Sequence, residues 1–473
     1  MTGTQSKPKL AVIGGGISGL SAAFRLTQLG HRDVSVLESS SRLGGVLLTE
    51  RVDSALVECS ADMFTTKQPG ATRLCHDLGF DRELIGTNDR FRRSFVVRKG
   101  KLITTPPGLI LMQPTRLWPI LTSRLLSMRG RLRMLGEFFV REKTATDTSL
   151  EEFAIRRFGR EAYERLIQPM VGGIYTADPT KLSVQATMPQ FLQMEREHGS
   201  LIRAAFKEAK KGDRAADEQA SGARYSAFVA PQQGMSSLID SLQQRLTQSG
   251  VQVQLNTPVD SLQPKEAGWN VASRGTATVY DGVVLALPAN RATELCHEFD
   301  SDLSDLLDAI PYASAGVALF LLERSKIAHP LNGFGFVVPQ TERRKILAGS
   351  FASIKFSGRT SEDQVLVRVF IGGAVQQELL EHDDDQILEF SYRDLAELLG
   401  IQGLPIWSRL QRWHCAMPQY HVGHVAKVAE IDQRIALLTG LELAGNAYHG
   451  VGIPFCVAGG YAAAERLDAS LGQ

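Results

Sequence analysis

Short, nearly continuous apolar runs punctuate this chain at Leu10 to Ile13, Val34 to Leu37, Val283 to Leu287 and Leu441 to Ala444. Runs of that length predict strands buried on both faces, as in a parallel sheet. Val251-Gln252-Val253-Gln254-Leu255 alternates instead, which predicts a half-exposed strand following a helix that opens at Gly234 and ends near Gly250. Ala55 to Cys59 reads as a further short strand. Ala315 to Leu322, Gly335 to Val338 and Val365 to Ile371, the last ending at Gly372-Gly373, predict a second, sheet-rich region.

Helix signals fall between these runs. Thr148-Ser149-Leu150-Glu151 places a capping hydroxyl ahead of acidic residues, and a second helix is expected from Glu161 to Met170, ending at Gly172-Gly173. Pro454 opens a helix through Leu467, since a proline's missing N–H is no loss in a first turn. From Leu109 to Val140 apolar residues, including Trp118, Phe138 and Phe139, mix with Arg116, Arg124, Arg129, Arg131 and Arg133. That mixture fits either helices lying in a membrane interface or a helical unit with solvated arginines. The stretch from Lys207 to Arg224 is charged and aperiodic and predicts a mobile loop, placed at 207–223. The fold class is mixed α/β, with a first domain that is left and re-entered.

A net charge of +1 over 473 residues gives no overall reason to expect a nucleic-acid partner. The five cysteines show neither C-x-x-C nor metal-ligand spacing, so a reducing, cytoplasmic setting and no metal are expected. No run approaches the roughly 18 apolar residues of a membrane span, and no apolar signal core precedes the first strand.

Candidate chemistry starts at Gly14-Gly15-Gly16-Ile17-Ser18-Gly19, a G-x-G-x-x-G turn between the first strand and a helix. Its glycines suit a tight turn, close approach to a pyrophosphate and close helix packing, with the anion at the helix N-terminus. Glu38 ends the second strand nineteen residues after Gly19, where a ribose-binding carboxylate belongs. Arg42-Leu43-Gly44-Gly45 follows at once, and a guanidinium beside two permissive glycines favours a long extended flavin dinucleotide over a nicotinamide. The bend Gly450-Val451-Gly452-Ile453 before the last helix suits the stabilisation of charge on a reduced flavin ring.

Together these stretches, with Ala444-Gly445-Asn446, resemble the FAD-containing amine oxidase and carotene desaturase superfamily. Gly172 to Pro179, Leu182-Ser183, Met194-Glu195-Arg196-Glu197-His198, Gly333-Phe334-Gly335 and Pro418-Gln419-Tyr420…Gly423-His424 narrow the likeness to the oxygen-dependent protoporphyrinogen and coproporphyrinogen oxidases of haem biosynthesis. The resemblance spans the whole chain.

It implies an FAD-binding domain at 1–88, 224–300 and 421–473, a substrate domain at 89–98, 172–206 and 301–420, and a helical membrane-docking domain at 99–171. FAD contacts are implied for Gly14, Gly15, Gly16, Ile17, Ser18, Gly19, Glu38, Ser39, Arg42, Gly44, Gly45, Val46, Ser60, Ala61, Asp62, Met63, Val259, Trp413, Val451, Gly452 and Ile453. Gly173, Phe334, Val337 and Phe370 would line a porphyrinogen pocket. The flavin carries the chemistry, so no catalytic side chain is named. O2 as electron acceptor and a homodimer are further implications.

Three positions depart from the family pattern. Ser94 stands where many relatives place a propionate-binding arginine, with Arg93 beside it and Arg92 and Arg98 nearby, which leaves protoporphyrinogen IX and coproporphyrinogen III both open. Ser60-Ala61 replaces Gly-Pro, and Pro454-Phe455 replaces a more polar pair. An amine oxidase on the same fold usually carries an acidic residue where this chain has Asn446. A carotenoid desaturase and a flavin-free carrier of prenylated proteins complete the alternatives, and Glu38 with Arg42 argues for retained FAD.

Overall fold

The computed structural model describes residues 8–114, 117–140, 147–210 and 228–472. Five parallel strands form one sheet in the order Gln252–Gln254, Asp33–Leu37, Lys9–Ile13, Gly282–Leu285, Leu441–Leu443. Because all pairings are parallel, the five carboxyl ends share one edge, which is where ligands of open α/β sheets bind. Leu10, Val12, Val34, Val36 and Val284 bury one face against helices Ile17–Gln28, Met235–Gln248 and Ile453–Leu471. The opposite face, with Ala11, Ile13, Val283 and Leu285, packs under a three-stranded meander (Ser261–Lys265, Gly268–Ser273, Thr276–Tyr280) and three further helices. The apolar runs are continuous because both faces are covered.

The second sheet has seven strands where the sequence suggested three runs. Its order is Trp407–Pro418, Tyr312–Glu323, Gln364–Gly372, Ala348–Phe351, Gly335–Val337, Phe95–Arg98, Lys101–Thr104. Trp407–Pro418 shows little periodicity, being an edge strand that carries Arg409, Gln411, Arg412 and His414. Lys101–Thr104, placed by sequence in the helical segment, pairs with Phe95–Arg98 as the other edge.

The helical unit has its own core, including Met112, Ile120, Leu125, Phe153, Phe158, Leu166 and Phe191. Ser149 caps helix Leu150–Phe158 as expected, its hydroxyl accepting from the Glu152 N–H at 3.2 Å. The second helix does not stop at Gly172-Gly173. It runs from Arg160 through one wide π-turn at Tyr163–Ile167 to Tyr175, and Thr176 ends it in the left-handed region at φ 48°. Arg131 is half-buried on the Leu126 and Ser123 carbonyls, whereas Arg133, which binds those of Arg156 and Arg157, stays exposed, as do Arg124 and Arg129. Arg116 lies outside the described residues. So does 211–223 of the expected mobile loop, whereas Lys207 to Lys210 end helix Leu201–Lys210. Among the described residues no helix is long and apolar enough to cross a membrane.

Candidate cofactor and substrate site

The glycine turn is built as its spacing implies. Gly14 has φ +109°, and a Cβ there would lie 2.4 Å from the Ala286 carbonyl oxygen. A Cβ on Gly19 would fall 2.0 Å from the Gly14 carbonyl oxygen. Gly16 differs, since nothing lies within 4 Å of a Cβ there. It is the N-cap of helix Ile17–Gln28 and brings no side-chain cap, while Ile17 and Ser18 are buried behind it. An uncapped helix start opening on free space is a cradle for an anion such as a pyrophosphate.

Glu38 lies across this turn. Its carboxylate accepts from the Gly15 N–H at 2.7 Å and the Ser40 N–H at 2.8 Å, with the Ser39 hydroxyl at 3.4 Å. Gly44 N–H donates to the Gly15 carbonyl at 2.8 Å, bringing Gly44-Gly45 against Gly16. Arg42 does not point outward from this loop. Its guanidinium donates to the carbonyls of Leu43, Gly45 and Leu47, so it holds the loop's shape, and Val46 is exposed at the tip. Val259 packs against the core under the meander.

The bend Val451-Gly452-Ile453 is brought to the same edge by the last helix. A Cβ on Gly460 would lie 2.2 Å from the Ser18 carbonyl oxygen, so the two helices touch backbone to backbone. Gly452 is the N-cap there, again without a side-chain cap. Tyr420, quoted above only as part of a motif, is what fixes the approach to this bend. Its hydroxyl accepts from the Gly450 N–H at 2.9 Å and donates to the Asn446 carbonyl at 2.6 Å. His424 stacks on it with ring centroids 3.9 Å apart.

Ser60 to Met63 bridge the two sheets. The Trp413 indole donates to the Cys59 carbonyl at 2.9 Å, and Arg368 donates to the Ser60 carbonyl. Asp62 is turned inward to Lys355 at 2.5 Å and Arg368 at 2.8 Å, while Ala61 is exposed and Met63 half-buried. Burial alone would raise the Asp62 pKa, but the two cations more than reverse this and hold it well below the ordinary range. Its side chain is therefore committed to protein partners. Lys355 and Arg368 escaped the sequence reading, though one signal was present: Arg368 stands alone inside Val365-Leu366-Val367-Arg368-Val369-Phe370-Ile371, and a charge in a buried strand needs a partner.

Of the residues expected to line a substrate pocket, Val337, Phe370 and Gly173 come together. Val337 pairs with Ala348, Ala348 with Phe370, and Phe370 with Val317. Gly173 faces that row, a Cβ there lying 3.6 Å from Val337 Cγ1 and 3.9 Å from Ala348 Cβ. Phe334 N–H donates to the Arg93 carbonyl at 2.8 Å, which puts Arg93 beside it. Ser94 is buried, its hydroxyl 3.2 Å from that of Thr105.

Known proteins agree with this architecture. Coproporphyrinogen III oxidase of Staphylococcus aureus is 30% identical over 469 residues, covering 98% of this chain and 99% of its own. That of Propionibacterium freudenreichii is 32% identical, covering 98% and 91%. Protoporphyrinogen oxidase 2 of Arabidopsis thaliana is 29% identical, covering 98% and 94%. A crystal structure of a candidate protoporphyrinogen oxidase from Exiguobacterium sp. 255-15 superposes with a TM-score of 0.86 at 25% identity, covering 99% of this chain and 100% of that one. Cyclohexylamine oxidase of Brevibacterium oxydans shares the fold, with a TM-score of 0.71 at 15% identity. The model of flavin containing amine oxidoreductases matches residues 17–468, and the chain belongs to that family as an FAD-dependent oxidoreductase.

Proposed function

We propose that the chain oxidises coproporphyrinogen III to coproporphyrin III, with O2 as final electron acceptor. The observation that carries this reading is full-length relatedness to two coproporphyrinogen III oxidases at 30% and 32% identity. Ser94 supports it: locked to Thr105, it brings no charge to the place where many relatives keep an arginine, and Arg93 is the neighbouring cation for a propionate.

The glycine cradle, Glu38 and the Val451–Ile453 bend would hold FAD, which supplies a hydride acceptor when bound. Each two-electron step takes a hydride from a carbon between two pyrroles and a proton from a pyrrole nitrogen; three such steps, with one proton moving from the last saturated carbon to a ring nitrogen, give the aromatic ring. The row of Val337, Ala348 and Phe370 offers a flat apolar wall, and Gly173 packs beside it. These residues orient the macrocycle and exclude water. Porphyrin fluorescence under air, followed separately with coproporphyrinogen III and protoporphyrinogen IX, tests the reading. Faster turnover of coproporphyrinogen III is expected; FAD-loaded protein inert toward both would overturn it.

The helical unit exposes Trp118, Met128, Leu132 and Phe139, the last at 86% of its surface. This supports docking on a membrane surface. Flotation with anionic liposomes should carry the protein upward, and Trp118→Asp with Phe139→Asp should weaken it.

A further inference from the structure

Lys355, Asp62 and Arg368 form a buried cluster at the junction of the two sheets, with 4%, 8% and 1% of their surfaces exposed. Two cations share one carboxylate, so the trio carries one net positive charge. Burying such an excess is costly unless something nearby compensates it. The surroundings do not. Arg359, also buried, donates to the Pro231 and Gln232 carbonyls and lies over the Phe356 ring. Glu58, the other buried acid near these cations, accepts from the Met235 N–H and the Thr49 hydroxyl and faces Arg359 as well as Arg368, so its one charge offsets no more than Arg359 adds. Three donors around the cluster find no acceptor among the described residues: Arg368 Nε and the Ser60 and Ser350 hydroxyls. Ser350 stands directly across from Arg368 in the sheet.

The cluster also has a direction. Phe370, two residues along the strand from Arg368, belongs to the pocket row, and the Arg368 guanidinium lies 5.3 Å from its ring centroid. Arg368 holds Ser60, and the chain from Ser60 onward runs to Gly70, whose missing Cβ lets it touch the Pro454 carbonyl at the start of the last helix. The excess charge therefore sits between the apolar wall for the substrate and the Ser60–Met63 stretch implied to contact FAD, which leads on toward the last helix.

Resting on the reading that FAD occupies this junction, we infer that Lys355 and Arg368, balanced by Asp62, set the reduction potential of the bound flavin. Accepting a hydride adds two electrons and one proton, so one unit of negative charge arises on the ring. A fixed cation excess in a buried region stabilises that charge, whereas Asp62 opposes it. Lys355 and Arg368 are positioning and charge-tuning groups and transfer no proton themselves.

The test is the potential of the FAD-loaded protein, equilibrated anaerobically against a reference dye. Lys355→Met and Arg368→Met should each lower the reduced-to-oxidised ratio at fixed potential by about tenfold, ~30 mV for a two-electron couple. Asp62→Asn should move it the opposite way, and Lys355→Arg should stay near the parent. A role confined to folding would shift both charge classes in one direction or expel the cofactor. Protein that takes up no FAD overturns the functional reading and this inference together. FAD-loaded variants whose potentials do not separate by sign overturn the inference alone. If Arg368→Met fails to fold, Lys355→Met against Asp62→Asn carries the same comparison.

Discussion

Val337 and Phe370 stand in one register row of the seven-stranded sheet, joined by Ala348, which pairs with both. Gly173 approaches that row from a helix, with ordinary contact distances for one added methyl group. Gly173→Ala should therefore fold and gain about 0.5–1 kcal/mol from helix propensity. Gly173→Leu should crowd that wall and lower kcat/KM about tenfold or more, leaving FAD content unchanged. Urea denaturation and porphyrin fluorescence check the pair; equal kinetics in parent and Gly173→Leu would remove the pocket from this place.

The glycines of the nucleotide turn should separate by mechanism. Gly19→Ala drives a Cβ to 2.0 Å from backbone, so destabilisation of the fold itself by about 1–3 kcal/mol or more is expected. Gly16→Ala meets nothing within the protein. It should fold normally, yet hold FAD at least about tenfold more weakly, because the methyl group occupies the cradle. Melting of the apo-protein and flavin absorbance after reconstitution distinguish the two outcomes.

Inside the helical unit, Arg157 is wholly buried between Glu137 at 3.0 Å and Glu195, and it also donates to the Gly199 carbonyl at 2.9 Å. Glu137 in turn accepts from the Leu201 N–H at 2.9 Å and the Ser200 hydroxyl. Arg157→Leu would leave Glu137 buried without its cation, while Glu195 keeps Arg156 at 2.5 Å, and should cost about 3–5 kcal/mol. Denaturant titration checks this, and a loss below about 1 kcal/mol would mean that water or rearrangement pairs Glu137.

The nucleotide half was legible because its signals are local. Strand, turn and helix follow one another from Leu10 to Gly19, and Glu38 lies within the same β-α-β unit. The seven-stranded sheet was only partly legible because its order interleaves Phe95–Arg98 with segments more than two hundred residues away. Arg42 and Asp62 show a subtler limit. Both were singled out as cofactor contacts, and both spend their charged groups on the protein itself, Arg42 on three carbonyls and Asp62 on Lys355 and Arg368. Sequence spacing brings a charge to a neighbourhood; which partner takes it depends on long-range packing. Tyr420 lay in a quoted motif without a role, because its partners Asn446 and Gly450 meet it only once the last strand has joined the first sheet.

His424 makes stability depend on pH. It is 5% exposed, its Nε2–H donates to the Tyr448 carbonyl at 3.2 Å, and burial pushes its pKa down to about 4, with Lys427, His449 and His421 adding to the effect. In the unfolded chain it titrates near the ordinary 6.5. Between those values the unfolded state binds more protons, so stability rises with pH; its full value is present above about 6.5 and is lost progressively toward 4. The gap corresponds to about 3 kcal/mol. Asp62, by contrast, loses its contribution only at lower pH, since its folded pKa lies below the unfolded one. His424→Gln should remove this slope, so denaturation midpoints of parent and variant should converge or cross between pH 7 and pH 4. Since His424 stacks on Tyr420, which holds Asn446 and Gly450, FAD release from the parent should follow the same window. An unchanged slope in His424→Gln would assign the acid sensitivity to other groups.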